Sequence, residues 1–338
     1  MFFIQSAGLT AFESVTPNHQ ANSYDCSAGL YELFRRISSG RTGKGYIAYF
    51  CFSLEALRFW ASPVYKEDGC GHLEISVLER NANFGRFLIR GVSVPFMNSL
   101  RRTIISEVPV MAIDDVIMVE NSSAMSDEML AHRLGLMPLI TDLDRYVLPE
   151  DCTCQSEFGC NKCRVVLSLD VEPRESTVTV YSGDIRSEDP NVRPVQEKIP
   201  LIKLVPGQRI RLEAYARLGK GKKHARWQPV SACFYRYVPE VKISSRNCNL
   251  CGKCVKSCPR KVLSVENGSL VAKNLMDCTL CEDCVRACPL TPPAIKVASD
   301  KDSFMFEVES TGALPVDRLI FEAAEILADK TRTLMKEL

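Results

Sequence analysis

The sequence has no excess of charge of either sign: 42 Lys and Arg stand against 41 Asp and Glu, a net charge of +1. A chain without a basic field does not attract nucleic acid as a whole, so any contact with DNA or RNA is local and sequence-specific DNA binding is not expected. No window holds eighteen uncharged apolar residues, so no membrane span is expected. A P-loop, a dinucleotide-binding glycine fingerprint, a catalytic carboxylate triad and a nucleophile motif are all missing, and no catalytic residue is assigned to this chain. The apolar stretch Gly45–Ala61 lacks the charged start and small-residue cleavage site of a secretory signal.

The 338 residues suggest two to three domains, and 46% hydrophobic and 25% charged residues describe an ordinary globular protein that buries its core without staples. Cysteine is the exception. There are sixteen, concentrated in two clusters with ligand-like spacing. Metal is a better reading of that pattern than a secreted disulfide framework, and thiolate ligands imply a reducing cytoplasm.

The apolar pattern is organised around Ser93–Pro109. Ser93 suits a helix cap, Pro95 the first turn, and Phe96, Met97, Leu100, Ile104 and Val108 fall on one face before Pro109 stops the run. Two alternating strands, Glu74–Leu78 and Phe84–Ile89, precede it with a turn at residues 81–83. After the two prolines at 292 and 293, Phe304, Phe306 and Val308 alternate with polar positions, predicting a strand with one buried face. Pro315 then opens a last helix in which Val316, Ile320, Ala323, Leu327 and Leu334 recur every three, four or seven residues. A small sheet carrying two such helices has more apolar surface than it can cover. The expectation is a dimerisation platform with Phe96, Leu100, Ile104, Val316, Ile320, Leu327 and Leu334 at its interface, packing on the chain's own core being the alternative.

Between these halves the chain reads as inserted material. A strand is expected at Met111–Glu120, a helix at Asp127–Leu134 capped by Ser126 and stopped by Gly135, and strands at Arg164–Val171, Thr177–Tyr181, Ile202–Leu204 and Arg209–Ala214. The basic loop Lys220–His224 reads either as a solvated turn or as a grip on a partner. Cys152, Cys154, Cys160 and Cys163 place four thiols within twelve positions. They suit one tetrahedral Zn2+, with a pair of disulfides or free thiols as the alternative.

The strongest signal is Cys248-x2-Cys251-x2-Cys254-x3-Cys258-Pro259, repeated thirty residues on as Cys278-x2-Cys281-x2-Cys284-x3-Cys288-Pro289. In the bacterial ferredoxin run three cysteines hold one cubane and the fourth crosses to the other. Cys248, Cys251, Cys254 and Cys288 then hold one [4Fe–4S] cluster and Cys278, Cys281, Cys284 and Cys258 the second. Two zinc sites are the weaker alternative. Asn267-Gly268 between two short apolar runs signals a hairpin. The first seventy residues fit poorly with the rest. Gly45–Ala61 reads as an amphipathic helix or a weakly ordered extension, and Cys26, Cys51 and Cys70 have no ligand spacing.

From about His72 to Leu338 the chain resembles the alpha-like assembly subunits of DNA-dependent RNA polymerase, in their archaeal form, the D type. The resemblance rests on Phe96-x-Asn98-x-Leu100-Arg101-Arg102, on the stretch Ser126–Leu139 with its His132-Arg133-Leu134-Gly135, and on His224-Ala225-Arg226-Trp227-x-Pro229-Val230. It implies an α+β fold: an alpha-like dimerisation domain (72–111 plus 296–338) interrupted by a mainly-β insert with a zinc-type loop (112–243) and a ferredoxin-like insert (244–295), after an extension at 1–71. It implies pairing with the small alpha-like subunit L, then docking of the second-largest subunit and the small zinc subunits. Nucleotidyl transfer would lie elsewhere in the complex. The clusters are expected to be structural, with a redox response as a second expectation. An electron-transfer ferredoxin component of a redox enzyme is the rival reading from the cysteine runs alone.

Overall fold

The computed structural model describes residues 73–338 apart from 155, 157 and 158. The expectations for the residues before 73, including Gly45–Ala61 and its neighbouring cysteines, lie outside the described residues. The described chain begins with β1 (Glu74–Arg80), β2 (Phe84–Arg90), α1 (Val94–Ser106), β3 (Pro109–Asn121) and α2 (Asp127–Gly135). It continues with β4 (Arg164–Val171), β5 (Val178–Tyr181), β6 (Arg186–Ser187), β7 (Pro200–Leu204), β8 (Ile210–Lys220) and β9 (Val230–Ile243). Last come α3 (Lys253–Ser257), β10 (Leu263–Glu266), β11 (Ser269–Ala272), α4 (Asp283–Arg286), β12 (Ile295–Ser310) and α5 (Val316–Glu337).

The first sheet has the order β1-β2-β12-β9 and is antiparallel throughout. Period-two alternation decides its inner face. Phe304 stands opposite Ile89 and Phe306 opposite Phe87, so these side chains form one apolar layer. Tyr235 and Tyr237 of β9 close on the Phe304 ring at 5.6 and 5.3 Å. The helices α1 and α5 lie on this layer and bury Met97, Leu100 and Ile104 from one, Val316, Leu319, Ile320 and Ala323 from the other. Asn81 makes the β1–β2 turn by accepting from the Asn83 and Phe84 amides (3.0 and 2.7 Å).

Three expectations change here. Ser93 occupies the cap position of α1 and Ser126 that of α2, but neither hydroxyl makes the capping bond. Gly135 does not stop α2 in a left-handed turn. It is the helix's last residue, buried, with its Cα side facing the Ile113 carbonyl and Arg226. In β12 both faces are buried across Phe304–Val308, since Met305 and Glu307 lie on the far side, where Arg86 and Arg236 reach across Glu307.

The second sheet has the order β3-β8-β4-β6, with the pair β5–β7 and helix α2 enclosing a core of Leu130, Leu134, Leu139, Leu167, Leu169 and Leu212. The buried Tyr146 hydroxyl donates to the buried Asp189 carboxylate at the rim of this core. That bond holds the Asp189 pKa below its ordinary value, with burial opposing it. A depressed carboxylate pKa contributes stability above the unfolded value, and loses it as the pH falls through the folded value. Tyr146→Phe is therefore expected to lower the melting temperature at neutral pH and to converge with the wild type under acid. A pH series of thermal unfolding curves reads both.

Strand β9 has no clear alternation in its sequence. It contains Pro239, yet β9 is an edge strand, where a residue without an amide is tolerated. It pairs with β12 from Val230↔Ser310 to Ile243↔Ile295, so one two-stranded ribbon carries the platform sheet into the cysteine-rich insert. Between Asp300 and Phe304 the β12–β9 register shifts, and the Asp302 carbonyl accepts the Gly91 amide at 2.8 Å, just ahead of α1.

Candidate metal centres and pairing surface

The thiols of Cys152, Cys154, Cys160 and Cys163 all lie within 4.8 Å of one another. Cys152 and Cys160 are 3.7 Å apart, and Cys154 and Cys160 each stand 3.9 Å from Cys163. Four sulfurs at about 2.3 Å from a tetrahedral zinc are about 3.8 Å apart, whereas a disulfide requires about 2.05 Å. The four cysteines are free thiols at the spacing a single ion needs. Cys163 is fixed at the start of β4 and accepts the Cys160 amide at 3.1 Å. Gly159 has φ +78°, and a Cβ there would stand 3.1 Å from the Cys163 sulfur, so this turn requires glycine. The Lys162 amide draws the Cys160 pKa down to about 7, while burial pushes Cys163 up to about 12. Binding an ion here has to displace protons.

The eight cysteines of the doubled run line two separate recesses in the insert. One, of about 330 Å³, is lined by Cys248, Cys251, Cys254 and Cys288, with Leu250 and Ile295. The other, of about 380 Å³, is lined by Cys258, Cys278, Cys281 and Cys284, with Val241 and Val262. Two loops of matching backbone make them. Leu250 and Gly252 in the first, Leu280 and Glu282 in the second, all have φ between 55° and 69°. Left-handed leucine and glutamate cost energy, of order 1 kcal/mol each or more, and persist where the surroundings impose them. Each loop runs into a short helix, α3 or α4, that presents its third cysteine. Asn267 and Gly268, at φ 48° and 71°, turn the β10–β11 hairpin between them.

The platform divides the residues expected at an interface. Leu100 (5% exposed), Ile104 (0%), Val316 (1%) and Ile320 (4%) are covered by the chain's own sheet and offer nothing to a partner. An apolar stripe on a helix does not say which neighbour covers it; here the N-terminal half of α5 folds inward. Phe96 and Leu327 are half-buried and Leu334 is exposed, as are Met335 and Leu338. From Asp329 onward every residue of α5 is exposed, an overhang of about 15 Å at 1.5 Å per residue. Lys330 ties the start of that overhang to Glu107 at the end of α1 (3.0 Å).

The stretch His224–Val230 locks the platform to the second sheet, a role its sequence does not reveal. Arg226 donates to the carbonyls of Ile113 (3.1 Å) and Asp114 (3.0 Å) and to the Asp114 carboxylate (3.0 Å). Trp227 is buried in the platform core, its indole N–H donating to the Arg217 carbonyl of β8 (3.1 Å). The ring lies against Gly219, where a Cβ would overlap it. Gly219→Ala is expected to destabilise the protein by about 1–3 kcal/mol through overpacking, read as a lower denaturation midpoint. The basic loop packs its backbone on α1, the Lys222 amide donating to the Ser106 carbonyl (2.9 Å), while Lys222 and Lys223 stay exposed.

The sequence model of the RNA polymerase Rpb3/Rpb11 dimerisation domain matches residues 86–331. The chain belongs to this family. It is 44% identical over 263 residues to the DNA-directed RNA polymerase subunit Rpo3 of Archaeoglobus fulgidus, covering 78% of this chain and 97% of that one. It is 42% identical over 261 residues to Rpo3 of Methanothermobacter thermautotrophicus (76% and 96% covered) and 38% over 260 to that of Methanosphaera stadtmanae (76% and 96%). The family places the chain among the archaeal polymerase subunits of the Rpo3 type. Among the described residues no helix is long and apolar enough to cross a membrane.

Proposed function

We propose that this chain is the non-catalytic assembly subunit of an archaeal DNA-directed RNA polymerase. It pairs with the small alpha-like subunit L in the cytoplasm. The pair then docks the second-largest subunit and the small zinc subunits, and other subunits carry out nucleotidyl transfer. The observation that carries this reading is the α1–α5 platform, with Leu334, Met335 and Leu338 exposed on the overhang and Phe96 and Leu327 half-buried beside the platform core. A helix that extends past its own sheet with an apolar stripe has a partner's surface to meet. Residues 72–111 with 296–338 serve as the dimerisation domain, and the segments 112–243 and 244–295 as its inserts.

In this reading Cys248, Cys251, Cys254 and Cys288 hold one [4Fe–4S] cluster, and Cys278, Cys281, Cys284 and Cys258 the other. The grouping of the eight thiols into two recesses, each taking one cysteine from the far repeat, supports it. The clusters hold the insert together, and their loss through oxidation would act on assembly. Cys152, Cys154, Cys160 and Cys163 hold one Zn2+. Gly159→Ala should lower zinc affinity at least tenfold, measured by competition with a chromophoric chelator, while Cys163→Ser should abolish binding.

Anaerobic purification of the native complex tests the whole reading. The expected result is co-purification with the other polymerase subunits, with eight irons and one zinc per chain. Recovery with a flavin- or metal-containing redox enzyme would instead support the rival electron-transfer role.

A further inference from the structure

The two recesses share one loop geometry and differ in charge. After its second cysteine the first loop reads Gly252-Lys253-Cys254-Val255-Lys256, and the second Glu282-Asp283-Cys284-Val285-Arg286. Left-handed residues occupy the same positions in both, at 250 and 252 and at 280 and 282. The first loop therefore carries two positive charges and no acid. Lys253 and Lys256 are exposed and make no ion pair among the described residues. The second loop carries two acids, and its one cation is engaged. Arg286 pairs with Asp283 (2.5 Å) and donates to the Cys281 carbonyl (2.9 Å). Glu282 lines the second recess together with Arg260, which offsets one acid; no charged side chain lines the first.

We infer that the two metal centres are electrostatically inequivalent, and that the centre at Cys248, Cys251, Cys254 and Cys288 accepts an electron at a higher potential than its neighbour. This rests on the two-cluster reading above. Reduction of a [4Fe–4S] cluster from the 2+ to the 1+ state adds one negative charge to a site already carrying four thiolates. Net charge around the sulfurs is one of the factors that set cluster potential. Lys253 and Lys256 favour the added charge, while Glu282 and Asp283 oppose it. Matching backbone in the two loops leaves charge as the main difference between them. Exposure of the side chains weakens the effect by screening without reversing its sign.

The test is a potentiometric titration of the full chain under anaerobic conditions, with dithionite as reductant and electron paramagnetic resonance as readout, at low and high salt. The wild type should reduce in two resolved steps. Lys253→Glu should move the higher step to more negative potential and leave the lower in place. Glu282→Lys should raise the lower step and leave the higher one in place. Added salt should narrow the gap. A single step in the wild type, or Lys253→Glu shifting the lower step, overturns the inference while leaving the clusters assigned. Fewer than eight irons per chain overturns the two-cluster reading itself, and the inference with it.

Discussion

Leu327→Asp should abolish pairing with the small alpha-like subunit and leave this chain folded. The residue sits where α5 leaves its own sheet, half-buried, one turn beyond the inward-facing Ala323 and two turns before the exposed Leu334. Covering a leucine contributes about 1.5–3 kcal/mol, and an uncompensated carboxylate in its place adds a further cost. A loss of about 4 kcal/mol corresponds to roughly a thousandfold in affinity. Ile320→Asp, seven residues earlier, acts differently. Ile320 is 4% exposed in the platform core, so this change should unfold the platform, a buried unpaired charge being among the most damaging substitutions. Sedimentation of the mixed subunits separates the two: Leu327→Asp gives two folded monomers, Ile320→Asp an aggregated chain. Comparable behaviour of both variants would mean that the covered N-terminal half of α5 and its C-terminal end are not distinct.

On the proposed two-cluster reading, removing cysteine ligands should unfold the insert and spare the rest. Its buried core consists of Cys254, Val262, Leu263, Leu270 and Ile295, and one of these five is itself a ligand candidate. A segment of some fifty residues with so small a core does not fold on burial alone, and ligand bonds supply what is missing. In Cys254→Ser/Cys284→Ser, amide protection across residues 247–290 should fall to that of an unfolded chain. Protection across Val230–Tyr237 and Phe304–Ser310, where β9 and β12 belong to the platform sheet, should persist. A protected, iron-free insert would show that the recesses are scaffolds in their own right.

Much of this architecture is legible in the residues because local chemistry decides it. The alternating run Arg164–Val171 has the expected bounds, Asn267-Gly268 turns the expected hairpin, and Pro95 and Pro109 bracket α1 closely. The doubled cysteine spacing points to the same eight residues that line the two recesses. What stays hidden depends on distant parts of the chain. Val230–Ile243 contains a proline and alternates poorly, because one end packs under helices and the other under the insert. The Arg226 and Trp227 contacts depend on carbonyls more than a hundred and ten residues away and on a glycine eight residues away. The stripe on α5 carries no mark of where its own sheet ends and a partner begins.

The central claim is that a second subunit covers the overhang of α5. Hydrogen exchange at residues 329–338 tests it, measured on the chain alone and after addition of the small alpha-like subunit. The account predicts rapid exchange over these ten residues in the free chain and strong protection in the pair. The surface formed by Phe96 and Leu327 should become protected in step. Equal exchange in the two states, with a stable complex demonstrated in the same sample, would place the interface elsewhere and contradict the account.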